Sequence, residues 1–196
     1  MAAENENAPM NFRTFLPAVV LTALTCAGFA DDQSILPVFG SAGVEFTVKA
    51  KDGNTTKGWL PKDWVDNSEW APVSATYTKL NDPPKEGVTA VRIKVEKVDE
   101  GQLQLTSWTK PVFKKGVKYV ITGWIRSAES AGMKVGVRQP GEPYEFYAEQ
   151  DLTAVSEWKP FTFDFSFTED REAFVMFTKQ ETGTVDLAGL TVREKK

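Results

Sequence analysis

Along the second half of this 196-residue chain, aromatic rings recur on the polar sides of alternating segments, each next to a planar hydrogen-bonding group. Counted at period two, Trp108 shares a side with Gln104, and Trp124 shares one with Arg126. Tyr147 lies between Glu145 and Glu149, and Arg138 stands on the polar side of the segment before them. Rings set among amides, guanidinium groups and carboxylates suit one kind of ligand. A pyranose has an apolar face of C–H bonds that stacks on a ring. Its rim of hydroxyls, each donor and acceptor, is satisfied by amide, carboxylate and guanidinium groups. If these segments are neighbours in one sheet, their polar faces form a single sugar-binding surface. In the competing reading Trp108 and Trp124 pack beneath loops and the charges are ordinary solvated residues.

Other chemistries are narrowed by what the chain lacks. It contains no histidine, which removes the usual general base of serine and cysteine hydrolases and the commonest zinc and copper ligand. The single cysteine, Cys26, allows no disulfide framework. Catalysis would therefore fall to carboxylates. Glu145 and Glu149 are about 13 Å apart if they lie on one strand, too far for a retaining or an inverting glycosidase pair. No glycine-rich phosphate loop and no serine elbow is present. A net charge of −4 without a basic stripe makes nucleic acid, and polyanions generally, poor partner candidates. No cofactor is required. Asp186, in GTVDLAGL, could help hold a structural calcium, against the simpler reading of a solvated or turn-capping carboxylate.

The elements that would carry these residues are strands. Val117 to Thr168 reads as four in a row, the clearest being the last, where Phe161, Phe163, Phe165 and Phe167 alternate with Thr162, Asp164, Ser166 and Thr168. Val91, Ile93 and Val95 alternate with Arg92, Lys94 and Glu96. Leu103 and Leu105 do so with Gln104 and Thr106. Ala173 to Lys179 is apolar on both faces, as a central strand would be. In the closing segment Val185 and Leu187 fall out of phase with Leu190 and Val192, which a β-bulge at Ala188-Gly189 would explain. Residues 51–72 show no periodicity and read as a long polar loop with three tryptophans, Trp59, Trp64 and Trp70. About ten short strands punctuated by turns predict an all-β, antiparallel β-sandwich in one domain over residues 31–196.

Residues 1–30 read as a signal peptide: Arg13, an apolar run from Phe15 to Leu24, then small residues ending at Ala30, after which cleavage is expected. Met10 offers an alternative start. The apolar run is short for a membrane span. A secreted or periplasmic location follows.

The ordered segments GVTAVRIKV (87–95), GQLQLTSW (101–108), FKKGVKYVITGWIRSA (113–128), MKVGVRQPGEPYEFYAEQDLTAVSEWKPFTFDFSF (133–167) and VDLAGLTV (185–192) carry a resemblance. From about Trp59 to Val192 the chain resembles carbohydrate-binding modules of the family 4, 9 and 22 type, which have a galactose-binding-like jelly-roll fold. The resemblance implies non-catalytic polysaccharide binding on a concave sheet face by Gln104, Trp124, Arg126, Arg138 and the Tyr144–Glu149 strand, with Trp64 as a loop ring. It implies that Trp124→Ala weakens glycan binding by about 1–3 kcal/mol while the protein stays folded. It also implies a calcium, away from the sugar, at Asp186, although Ser34 to Val44 departs from the family's Asn-rich opening. Such modules usually accompany a catalytic domain. None is read in these residues, a departure that points to a fold kept for another task or to a separate glycoside-active enzyme as partner. A structural or protein-interaction domain of the cell envelope, with the same fold and no sugar site, is the alternative.

Overall fold

The computed structural model of the protein describes residues 34–129 and 131–196. The expected signal peptide, with Met10, Cys26 and the cleavage point after Ala30, lies outside the described residues. Alternating sequence makes most of the described chain extended, in fourteen strands: β1 (Gly43–Lys49), β2 (Thr55–Pro61), β3 (Trp64–Asp66), β4 (Val73–Leu80), β5 (Ala90–Val98), β6 (Leu103–Ser107), β7 (Val112–Phe113), β8 (Lys118–Arg126), β9 (Gly132–Arg138), β10 (Phe146–Thr153), β11 (Lys159–Ser166), β12 (Arg171–Glu172), β13 (Phe174–Lys179) and β14 (Gly183–Glu194). A 3-10 turn at Lys51–Gly53 is the one helical element among the described residues. No helix there is long and apolar enough to cross a membrane.

The strands form a sandwich of two sheets. One has seven strands in the order β1-β2-β4-β5-β14-β8-β11, and the other has five in the order β10-β9-β13-β6-β3. β2 and β4 run parallel, while the other pairs within these two sheets are antiparallel. The short strands β7 and β12 pair as a separate ribbon. Period two decides which side of each strand is buried. On β11, Phe161, Phe163 and Phe165 enter the core while Thr162, Asp164 and Ser166 stay exposed. From the other sheet come Leu103, Leu105, Val135, Val137, Val175 and Phe177. Each large side chain removed from water contributes roughly 1.5–3 kcal/mol. Phe113 closes one end, edge-on to Tyr119 at 4.9 Å and to Phe165 at 5.1 Å.

The β14 bulge lies where the phase slip predicts it. The register against β8 shifts between Ala188 and Thr191, so that Val185, Leu187, Leu190 and Val192 are all buried. Gly189 takes φ 57 there, and a Cβ would sit 2.8 Å from the Trp124 ring.

Residues 51–72 correct the sequence expectation of a long loop, because β2 and β3 lie within them. Their pattern is masked by buried polar residues. Thr56 and Asp66 are buried against each other rather than against apolar side chains, so the hydrophobic alternation fails although the strand geometry holds.

Candidate functional site

The outward face of the five-stranded sheet gathers the polar and aromatic residues of β6, β13 and β9. Inward Leu103 and Leu105 force Gln104 and Thr106 outward on β6. Inward Val175 and Phe177 do the same for Phe174 and Met176 on β13, and inward Val135 and Val137 for Gly136 and Arg138 on β9. Register then sets the rungs: Thr106, Met176 and Gly136 stand side by side, and Phe174 is opposite Arg138. Trp108, just past the end of β6, packs edge-on against Phe174 with centroids 6.0 Å apart.

Two loops raise walls around this floor. A groove of about 570 Å³ results, lined by Asn67, Trp70, Trp108, Lys110, Arg138, Pro140, Tyr144 and Phe174. Trp108 is 59% exposed, Trp70 51% and Tyr144 47%. They are the only aromatic side chains so exposed among the described residues, and all three face this one groove. Arg138 donates from Nε to the Tyr144 carbonyl at 3.0 Å, and its guanidinium lies 4.9 Å from the Tyr144 ring centroid. Tyr144 itself holds φ 62, an uncommon conformation for a residue with a Cβ.

Gln104 organises the opposite wall. Its Oε1 accepts from Asn67 Nδ2 at 2.8 Å and from Trp70 Nε1 at 3.3 Å. Its backbone carbonyl accepts from Asn67 N at 2.8 Å, and its own N–H donates to Ser68 Oγ at 2.9 Å. Gln104 is buried, so it orients Asn67 and Trp70 rather than meeting a ligand, a correction to its expected role as a contact residue.

Beneath this wall sits a carboxylate. Asp66 accepts four hydrogen bonds: from Thr56 Oγ1 at 3.1 Å and Ser68 N at 2.9 Å on Oδ1, and from Ser68 Oγ at 3.2 Å and Tyr77 OH at 2.5 Å on Oδ2. Burial pushes its carboxyl above the ordinary 3.8, only partly countered by the donors, of which Tyr77 is the strongest. The Tyr77 hydroxyl is pushed well above 10.0 by burial and by Asp66, and it remains a donor. A carboxyl that binds its proton more tightly when folded stabilises most at low pH, and that contribution is lost as pH rises from about 3.8 through the raised native value. The unfolding free energy of the native chain, less that of Asp66→Asn, is therefore expected to fall across that window and then level off. Urea titrations at stepped pH measure it, and a flat or rising difference would contradict the sign.

The other expected site residues lie elsewhere. Trp124 and Arg126 belong to β8, between β14 and β11, and face outward from the seven-stranded sheet. The expectation of one surface shared with Gln104, Trp108 and Arg138 is corrected. The chain changes sheets between β8 and β9, and a period of two tells which residues share a face without telling which sheet owns it. Trp124 is half-buried, with Lys85 Nζ 4.9 Å from its ring centroid. Arg126 lies 4.4 Å over Trp158 and donates to Asp82 Oδ2 at 2.9 Å. Trp64 is a core residue, 2% exposed and edge-on to Phe39 at 5.1 Å, rather than a loop ring. Tyr147 falls at the register shift of β10, which turns it away from the groove to pack on Phe167 and under Arg171. Glu149 pairs with Lys134 at 2.8 Å, and neither it nor exposed Glu145 lines the groove. The residues that the sequence reading left out of the set are Asn67, Trp70, Lys110, Pro140 and Phe174. Trp70 carried a signal, as a tryptophan in a polar stretch, but the others had none.

Asp186 is also accounted for. Its Oδ1 accepts from Arg92 Nε at 2.8 Å, and its Oδ2 accepts from Arg92 Nη2 at 3.0 Å and from Arg126 Nε and Nη2 at 2.9 and 2.8 Å. Two guanidinium groups on one carboxylate neutralise it and repel a divalent cation, so these residues do not fit the expected calcium. No group of three or more acidic, cysteine or histidine side chains suited to a metal occurs among the described residues. Melting in EDTA and in millimolar calcium is expected to agree within about 1 °C, since a cation that does not bind cannot shift the equilibrium. A rise of several degrees with calcium would show a site that this ion network does not predict.

No protein-family model matches the sequence, and no curated protein does. Solved structures do match. A CBM4 module aligns with a TM-score of 0.50 at 17% identity, covering 67% of this chain and 86% of that one. The carbohydrate-binding module BiXyn10A CBM1, in its apo form, aligns with a TM-score of 0.50 at 16% identity over 84% of this chain and 98% of its own. The enzymatically active domain of bacteriophage CBA120 tailspike protein 4 aligns with a TM-score of 0.53 at 12% identity over 68% of this chain and 20% of that one. The sandwich is thus the jelly roll of carbohydrate-binding modules.

Proposed function

We propose that this protein binds polysaccharide without modifying it, in the groove on the outward face of the five-stranded sheet. The observation that carries this reading is the convergence of Trp70, Trp108 and Tyr144, three rings held in water at appreciable cost, on one groove. Exposed rings on rigid strands and tied loops can stack on successive sugars with little ordering, while Asn67 and Arg138 supply donors and acceptors to the hydroxyl rim. The jelly roll supports the same reading. Binding without turnover is supported by the groove walls, which contain no Asp or Glu to act as acid, base or nucleophile. Export through the sequence ending near Ala30, and action beside a separate glycoside-active enzyme, belong to this proposal.

The test is affinity electrophoresis of the purified protein in gels containing xylan, β-glucan, mannan or pectin, with pull-down on cellulose. Retardation by one class names the ligand. If a folded protein is retarded by none, the envelope interaction domain replaces this reading.

A further inference from the structure

The groove holds two cations that no carboxylate among the described residues neutralises. Lys110 Nζ sits 5.4 Å from the centroid of Phe174, and Arg138 is the cross-strand neighbour of that same Phe174 on β9, so both charges converge on one rung. Elsewhere among the described residues, nine contacts pair a Lys or Arg with an Asp or Glu, and none involves Lys110 or Arg138. The groove walls contain no carboxylate. This local excess of positive charge occurs in a chain whose net charge is −4, so it does not follow from composition.

The physical consequence concerns the ligand. Covering two uncompensated cations with a neutral sugar strips water from them and returns only hydroxyl contacts, whereas an anion repays the loss. Arg138 is already partly desolvated, which pulls its pKa below the ordinary guanidinium range, though a guanidinium keeps its proton. With Nε spent on the Tyr144 carbonyl, its other N–H groups donate to no carboxylate among the described residues. Resting on the proposed glycan-binding role of the groove, we infer that its ligand is an acidic polysaccharide, whose carboxylate or sulfate groups meet Lys110 and Arg138 while the sugar faces stack on Trp70 and Trp108. Nucleic acid also combines rings with charge, but sites for single strands track the phosphate backbone with an extended basic groove, and Lys110 and Arg138 are the two cations lining this one.

The experiment compares retardation of the full protein by polygalacturonate and by alginate with retardation by their carboxyl-reduced, neutral counterparts. A sulfated galactan and its desulfated form provide a second arm that separates sulfate from carboxylate. At least one acidic polymer is expected to bind roughly five- to tenfold more tightly than its neutral form, the size of two half-exposed ion pairs. The preference should shrink as salt rises, and the ratio should fall toward one in Lys110→Gln and in Arg138→Gln, with near-ultraviolet circular dichroism reporting the fold. Lys110 is exposed and off the core, so its variant stays interpretable if Arg138→Gln misfolds. Equal binding of acidic and neutral forms, or binding of neutral glucans alone, would overturn this inference and leave polysaccharide binding standing. Failure of a folded protein to bind any polymer would overturn both. Tighter binding of single-stranded oligothymidylate than of every acidic glycan would replace the ligand class.

Discussion

Trp108→Ala is expected to weaken polysaccharide binding by about 1–3 kcal/mol, roughly 5- to 150-fold, while leaving the protein folded. Trp108 stands 59% exposed beyond the end of β6, and its one ring contact is the edge of Phe174. Truncating it opens no cavity, so the change in stability should stay within about 0.5 kcal/mol. What is lost is the stacking surface. Trp70→Ala should act in the same direction, with some added loosening of its wall because its indole N–H also holds Gln104. Titration of each variant against the polymer that retards the native protein, with urea unfolding alongside, separates binding from folding. A Trp108→Ala variant that binds as well as the native chain would remove the ring from the site.

Asp66→Ala has the largest expected effect on stability, about 3–5 kcal/mol. The carboxylate accepts from the hydroxyls of Tyr77, Thr56 and Ser68 and from the Ser68 amide, all buried. Removing it leaves these donors without a partner where water reaches poorly, and a stranded buried donor costs about 1–3 kcal/mol before relaxation. The damage also travels to the groove, because Ser68 Oγ, fixed by Asp66, receives the Gln104 amide that anchors the wall bearing Asn67 and Trp70. Weaker glycan binding should therefore accompany the lower stability, even though Asp66 lies beneath the groove and away from any ligand. Denaturant unfolding measures the first effect, and a loss below about 1 kcal/mol would mean that the network is replaceable.

The fold was legible wherever burial was apolar and periodic. The phenylalanine ladder of β11, the two-sided apolarity that marks β13 as a central strand, and the phase slip at Ala188-Gly189 all follow from side chains that must leave water at period two. Legibility failed where polar groups are buried, as in β2 and β3, since Thr56 and Asp66 satisfy each other in the interior and read as surface. The site was only half legible. Trp108, Arg138 and Tyr144 reach the groove, and Gln104 supports it from beneath. Trp124 and Arg126 share their pattern yet belong to the opposite sheet, because long-range pairing, which a single segment does not encode, assigns a strand to its sheet. Asn67, Lys110 and Pro140 come from loops, where no periodicity marks a functional position.

The most direct test of a groove on the five-stranded sheet compares Trp108→Ala with Trp124→Ala in one affinity-electrophoresis titration, using the polymer that retards the native protein most. Each removes one indole, from opposite faces of the sandwich. Loss of retardation in Trp108→Ala, with Trp124→Ala within about twofold of the native protein, is the expected result. Loss confined to Trp124→Ala would place the ligand on the seven-stranded sheet and contradict the assignment of the groove.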